Sequence, residues 1–189
     1  MSRPKRYLLL AALSTVAVVG FVVWFSVFHL RNFGTVQPGV LYRSGQLSET
    51  GLEYAIALHG IRTVVTLRAD SDSTKPNQDA WEEELCTAKG VRYIHLAPRA
   101  WSVDGQGELP AEKMVTEFLA IMDDPAYIPV LIHCFAGVHR TGTLSAIYRL
   151  EYQHWTADRT VADMEDHGFL PGKNREAIEK FLRAYQPRR

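Results

Sequence analysis

The chain has 189 residues, 47% hydrophobic and 22% charged, which excludes a disordered protein and leaves room for one compact core rather than two large domains. Lys plus Arg and Asp plus Glu both count 21, so the total charge gives no ground for an extended nucleic-acid surface, and no nucleic-acid partner is expected. The balance is uneven. The first 31 residues carry Arg3, Lys5, Arg6 and Arg31 and no acid, leaving 17 basic and 21 acidic groups in the remaining 158.

Residues 1–6 form a basic tail. Residues 7–28 follow without a charge, 22 residues that would span about 33 Å as a helix, close to the thickness of a bilayer core of about 30 Å. A transmembrane anchor is therefore expected over 7–30. A cleaved secretory signal is the rival reading, but its apolar stretch should run about 7 to 15 residues. A buried helix is disfavoured because every face is apolar. The basic residues before the span place the N-terminus in the cytoplasm and the rest of the chain outside it. A free thiol in the following domain argues for the reducing side, and the two indications stay opposed.

Beyond the span, residues 32–189 alternate between strand and helix signals. Residues 40–43 read as extended, and Ser48 can cap a helix carrying Leu52, Ile56 and His59 that Gly60 ends. The β-branched run 61–67 is a strand, 69–77 a polar loop, and 78–89 a helix with Trp81 and Leu85 on one side and Gly90 as its stop. A strand over 91–97, a loop over 98–109, a helix from Pro110 to Met122 and a strand over 130–133 follow. Helices over 141–155, 159–166 and 174–185 complete the chain. This order predicts an α/β fold with a central, mostly parallel sheet flanked by helices. Ligands of such folds bind beyond the carboxyl ends of the strands.

The chemistry gathers after the strand at 130–133, in His133-Cys134-Phe135-Ala136-Gly137-Val138-His139-Arg140-Thr141-Gly142. A loop leading from a strand into a helix N-terminus can turn the N–H groups of residues 135 to 140, Phe135, Ala136, Gly137, Val138, His139 and Arg140, onto a phosphate dianion. Gly137 permits backbone angles that a side chain obstructs. Arg140 offers a planar fork to two phosphate oxygens and to the charge that develops in transfer. The helix dipole, the loop amides and Arg140 all favour a Cys134 thiolate able to attack phosphorus. A carboxylic acid must then protonate the leaving oxygen and later deprotonate water.

The run from His133 to Gly142 resembles the H-C-x5-R-[S/T]-G signature of the cysteine-dependent protein tyrosine and dual-specificity phosphatases. Residues 32–46 resemble the opening strands of their atypical dual-specificity group, and 155–168 the helix after their catalytic helix. The resemblance implies the dual-specificity phosphatase fold and a phosphomonoester hydrolase, either a protein tyrosine or dual-specificity enzyme or an inositol (pyro)phosphate phosphatase. It implies no cofactor and no metal. It also implies an aspartate about thirty residues before the cysteine as general acid. Asp104 lies at that distance, in a loop after a strand end, with Asp70, Asp72 and Glu108 as weaker candidates. Asp123 and Asp124 end a helix at the opposite edge of the sheet. Thr141 resembles the hydroxyl that bonds the cysteine sulfur, and it also suits a helix cap. His133 is expected to fix the loop, while His139 either points away or lines the pocket.

Other readings of the same residues are weaker. His133, Cys134 and His139 lack the paired spacing of a zinc site. A rhodanese-like sulfur carrier gives no reason for Arg140 joined to Thr141 and Gly142. A catalytically inactive phosphate-binding module would have lost its nucleophile or its acid. Cys86 reads as a buried apolar residue rather than a redox partner of Cys134. No lysine stands between Cys134 and Arg140, which leans towards phosphoprotein substrates, while Arg43, Arg99 and His139 are candidate sources of charge for a smaller polyphosphorylated one.

Overall fold

The computed structural model describes residues 7, 12–21, 31–68, 80–102, 104–172 and 174–188. Among them, beyond residue 30, five strands form one sheet: β1 (Gly34–Gln37), β2 (Leu41–Ser44), β3 (Thr63–Thr66), β4 (Arg92–His95) and β5 (Val130–His133), in the order β1-β2-β5-β3-β4. Helices α1 (Glu49–His59), α2 (Ala80–Ala88), α3 (Ala111–Asp123), α4 (His139–Tyr152), α5 (Ala157–Asp166) and α6 (Arg175–Ala184) cover it. The pairs β2/β5, β5/β3 and β3/β4 are parallel, and β1 turns back antiparallel on β2. The sheet is mixed, as the single short extended segment expected at 40–43 does not anticipate.

Side-chain alternation along the strands divides the core. Leu41, Val65, Val130 and Ile132 join the cluster that contains Phe118, Leu144, Met164 and Leu182 from α3 to α6. Their neighbours Tyr42, Val64 and Leu131 join the cluster with Leu52 of α1 and Leu85 and Cys86 of α2. Cys134 belongs to the first cluster and Cys86 to the second, so the sheet lies between the two thiols. Burial first, then Glu82 and Glu83, push the Cys86 thiol up to about 12, consistent with an inert apolar side chain.

Local signals explain most element ends. The Ser48 hydroxyl accepts the Gly51 N–H at 3.1 Å, and Gly60 closes α1 in the left-handed conformation at φ 61°. The parallel register sets Ser44, His133, Thr66 and His95 side by side, so the loops after β2, β5, β3 and β4 share one edge. Helix α4 begins at His139, two residues before the expected start, which shortens the loop after Cys134.

The C-terminus is clipped to α4. Glu151, its side chain fully buried, accepts from the Tyr185 hydroxyl at 2.7 Å, the Arg188 N–H at 3.0 Å and Arg188 Nε at 2.8 Å. Burial alone pushes the carboxyl up, but these donors outweigh it and hold the group below its ordinary value. Its stabilisation is thus complete above the ordinary carboxylate range and lost as pH falls through the lowered value. Arg188→Ala is expected to cost about 1–3 kcal/mol near neutrality by leaving a buried carboxylate short of donors. Thermal melts at decreasing pH should show the gap to wild type closing, and a gap independent of pH would contradict the clip.

Among the described residues no helix is long and apolar enough to cross a membrane. Residues 12–21 are helical, with Leu13, Val16 and Phe21 exposed, and the rest of the stretch expected to span, apart from Tyr7, lies outside the described residues. The polar loop expected at 69–77, with Asp70 and Asp72, lies outside them too.

Candidate active site

Cys134 follows the last residue of β5 and is 5% exposed at the base of a cleft of about 690 Å³. The loop 134–138 bends back over the sulfur, and the Gly137 N–H donates to Sγ at 3.3 Å. Gly137 has φ 73°, and a Cβ there would stand 2.4 Å from the Gly45 nitrogen and 2.6 Å from the Ser44 carbonyl carbon. Only glycine fits, because two backbones meet at that point. Arg140, in the first turn of α4, donates through Nη1 to the Leu67 carbonyl at 3.1 Å. That anchor just past the end of β3 steadies the guanidinium in the wall of the cleft that Cys134 also lines and leaves its other donors for an oxyanion.

Cys134, Phe135, Ala136, His139 and Arg140 all line the cleft, together with Pro98, Arg99, Trp101 and Met114 on one side and Leu170, Pro171, Asn174 and Ile178 on another. His139 therefore lines the pocket rather than pointing away, with its ring edge-on to Phe169 at 5.3 Å. Gly137 and Val138 support the loop from behind: Gly137 is buried and the Val138 carbonyl accepts the Gly142 N–H at 2.8 Å.

His133 is 1% exposed, its Nε2 3.2 Å from Oε1 of Glu82, which is equally buried. Glu82 also accepts from the Tyr93 hydroxyl at 3.1 Å and Gln46 Nε2 at 3.3 Å. A buried carboxylate from α2 thus sits behind the strand end that carries the cysteine. The sequence reading passed over Glu82, although it shares the i, i+3, i+4 face of Leu85 and Cys86.

Asp104, Thr141 and Arg43 stand elsewhere than the sequence suggests. Asp104 is exposed and absent from the cleft lining, because its Oδ1 caps its own turn, accepting from the N–H groups of Gln106 at 2.8 Å and Glu108 at 3.0 Å. Glu108 is exposed in the same turn, and no described carboxylate lines the cleft. The Thr141 hydroxyl donates to the Ser44 carbonyl at 3.4 Å, and Thr141 sits inside α4, so it is not the helix cap. Arg43, considered as a charge facing substrate, is 1% exposed and lies behind the loop.

Comparison with known proteins places the chain in a family. A family model described as DSP-PTPase phosphatase fused to NAD+ kinase matches residues 24–180, and the chain belongs to that family of dual-specificity-type phosphatases. The putative tyrosine-protein phosphatase OCA1 of Mycosarcoma maydis is 27% identical over 82% of this chain and 90% of its own length. Inositol diphosphatase DSP1 of Oryza sativa subsp. japonica is 33% identical over 66% of this chain and 51% of its own. The probable chloroplastic NAD kinase 2 of the same plant is 29% identical over 66% of this chain, which spans only 12% of that protein. The core catalytic domain of the PP-IP phosphatase SIW14 from S. cerevisiae shares the fold at TM-score 0.63 and 23% identity, over 82% of this chain and 85% of that one. P. aeruginosa TpbA in complex with pTyr does so at 0.61 and 22%, over 81% and 83%.

Proposed function

We propose that the chain is a phosphomonoester hydrolase working through a phosphocysteine intermediate, with phosphotyrosyl or mixed phosphoprotein substrates. The observation that carries this reading is the pairing of a buried Cys134, its sulfur already accepting a loop amide, with Arg140 fixed at the neighbouring strand end. Thiolate attack on phosphorus forms the S–P bond as the ester P–O bond breaks, and water then releases phosphate and restores the thiolate. Pro98, Trp101, Met114 and Leu170 give the cleft an apolar wall suited to an aryl phosphate.

Asp104 is our choice of general acid and base. Its loop also supplies Pro98, Arg99 and Trp101 to the cleft, so closure of that loop over bound substrate would carry the carboxyl inward from its present turn. Thr141 supports the thiolate indirectly, by tying the start of α4 to the end of β2.

A second reading, an inositol (pyro)phosphate phosphatase, is favoured by Arg99 and His139 beside Arg140. The buried Nε of Arg99 has no hydrogen-bond partner among the described residues. Phosphotyrosyl peptides, phosphoseryl peptides, inositol phosphates and p-nitrophenyl phosphate assayed side by side decide between them. Asp104→Asn in the same assay is expected to slow ester substrates about 10²–10⁴-fold and p-nitrophenyl phosphate much less, since nitrophenolate leaves without a proton. Equal slowing of all substrates would move the acid role elsewhere. Tungstate binding without turnover of any substrate would leave only the phosphate-binding module.

We further propose that residues 7–30 anchor the chain in a membrane, with the domain on the extracytoplasmic side by charge bias. The exposed apolar side chains of Leu13, Val16, Val18 and Val19 support this. Release of the full chain from membranes by an alkaline carbonate wash would reject the anchor.

A further inference from the structure

Three successive carbonyls of the phosphate loop are tied from behind. Phe135 O accepts the Gln46 N–H at 3.0 Å, Ala136 O accepts Asn32 Nδ2 at 2.7 Å, and Gly137 O accepts Arg43 Nη2 at 2.5 Å. In a trans peptide the C=O and the N–H of the following residue point in opposite directions. Drawing the carbonyls of 135, 136 and 137 backwards therefore turns the N–H groups of 136, 137 and 138 forwards. The Gly137 N–H, 3.3 Å from the Cys134 sulfur, shows the result.

We propose that Asn32 and Arg43 are positioning residues that aim the loop amides at the bound phosphoryl group. This rests on the reading of Cys134 as nucleophile. Gln46 donates from its backbone, so among the three ties only Asn32 and Arg43 are set by a side chain.

Each is built for the task at some cost. Asn32 takes a left-handed φ of 47°, which asparagine tolerates better than most residues, while the Arg31 carbonyl beside it accepts the Gly45 N–H at 2.7 Å. The backbone is thus bent under the loop and fastened there. Arg43 is 1% exposed, and its Nε and Nη1 have no hydrogen-bond partner among the described residues. Burying a cation without a carboxylate in contact is expensive unless another negative group faces it. Cys134 acts to keep Arg43 charged, while Arg149 and His167 each feel Arg43 as a like charge. Arg149 is a like charge paired with Asp163, and His167 Nδ1 lies 3.7 Å from the same carboxylate. Burial draws the Arg43 guanidinium down to about 10 and Cys134 opposes that shift.

The test uses the full chain and four variants, Asn32→Asp, Asn32→Ala, Arg43→Lys and Arg43→Met, each checked for folding by circular dichroism. Asn32→Asp keeps the shape and removes the donor, so tungstate inhibition and kcat on p-nitrophenyl phosphate should each weaken about tenfold, as in Asn32→Ala. Arg43→Met removes the tie to the Gly137 carbonyl and should weaken tungstate inhibition and kcat about tenfold as well, with Arg43→Lys restoring most of both. A purely structural role would lower the melting temperature and leave tungstate affinity and kcat unmoved. Wild-type tungstate affinity and kcat in folded Asn32→Asp and Arg43→Met overturn the proposal. A wild-type chain that binds tungstate but turns nothing over refutes the phosphatase reading alone, since the orientation of the amides is still read from tungstate affinity.

Discussion

Cys134→Ser is expected to leave the chain folded and to reduce turnover at least about 10³-fold, because a serine hydroxyl in this loop has neither the acidity nor the nucleophilicity of the thiolate. The substitution is nearly isosteric, and the Gly137 N–H that now donates to the sulfur can donate to the hydroxyl oxygen instead. Tungstate should still bind, since the amides and Arg140 remain. Steady-state assays in EDTA against p-nitrophenyl phosphate measure the loss. Turnover within tenfold of wild type would exclude a phosphocysteine and shift attention to His139, the other nucleophilic side chain among the described residues lining the cleft.

Arg140→Lys should be nearly as damaging even though it keeps the charge. The guanidinium uses one nitrogen on the Leu67 carbonyl and presents the rest of its fork to phosphate, whereas a lysine ammonium is a single point that cannot do both. The expected loss is about 2.7–4 kcal/mol of transition-state stabilisation, or roughly 10²–10³-fold in kcat. It should appear in kcat more than in KM, because the developing charge on the transferring group needs the fork most. A change confined to KM would mean that Arg140 only gathers substrate.

The parts of the site that were legible in the sequence are those in which neighbours in the chain are neighbours in space. Residues 130–133 form a strand as expected, and Cys134 and Arg140 bracket a loop of five residues in a row. Asn32 and Arg43 act on that loop from 104 and 94 residues away, and such pairings carry no local signal. Arg43 was legible as a strand residue and a possible charge, but not as one turned inward, since a buried arginine runs against the ordinary preference for exposure. The direction in which Asp104 points was hidden for another reason. Distance along the chain gives the loop but not the direction of its tip, and a short polar side chain followed by glycine-rich sequence readily satisfies its own turn.

The tie between Asn32 and Ala136 redraws the edge of the catalytic unit. Hydropathy puts the start of the globular part at residue 32, as if what precedes it were a detachable handle. The Arg31 carbonyl and the Asn32 amide are instead part of the scaffolding around the phosphate loop, only a few residues beyond the hydrophobic stretch. A fragment trimmed to begin at Phe33 would retain all five strands and six helices and still lose a fastening of its reaction centre. The N-terminal boundary of any soluble version is therefore a question about reactivity as much as about solubility.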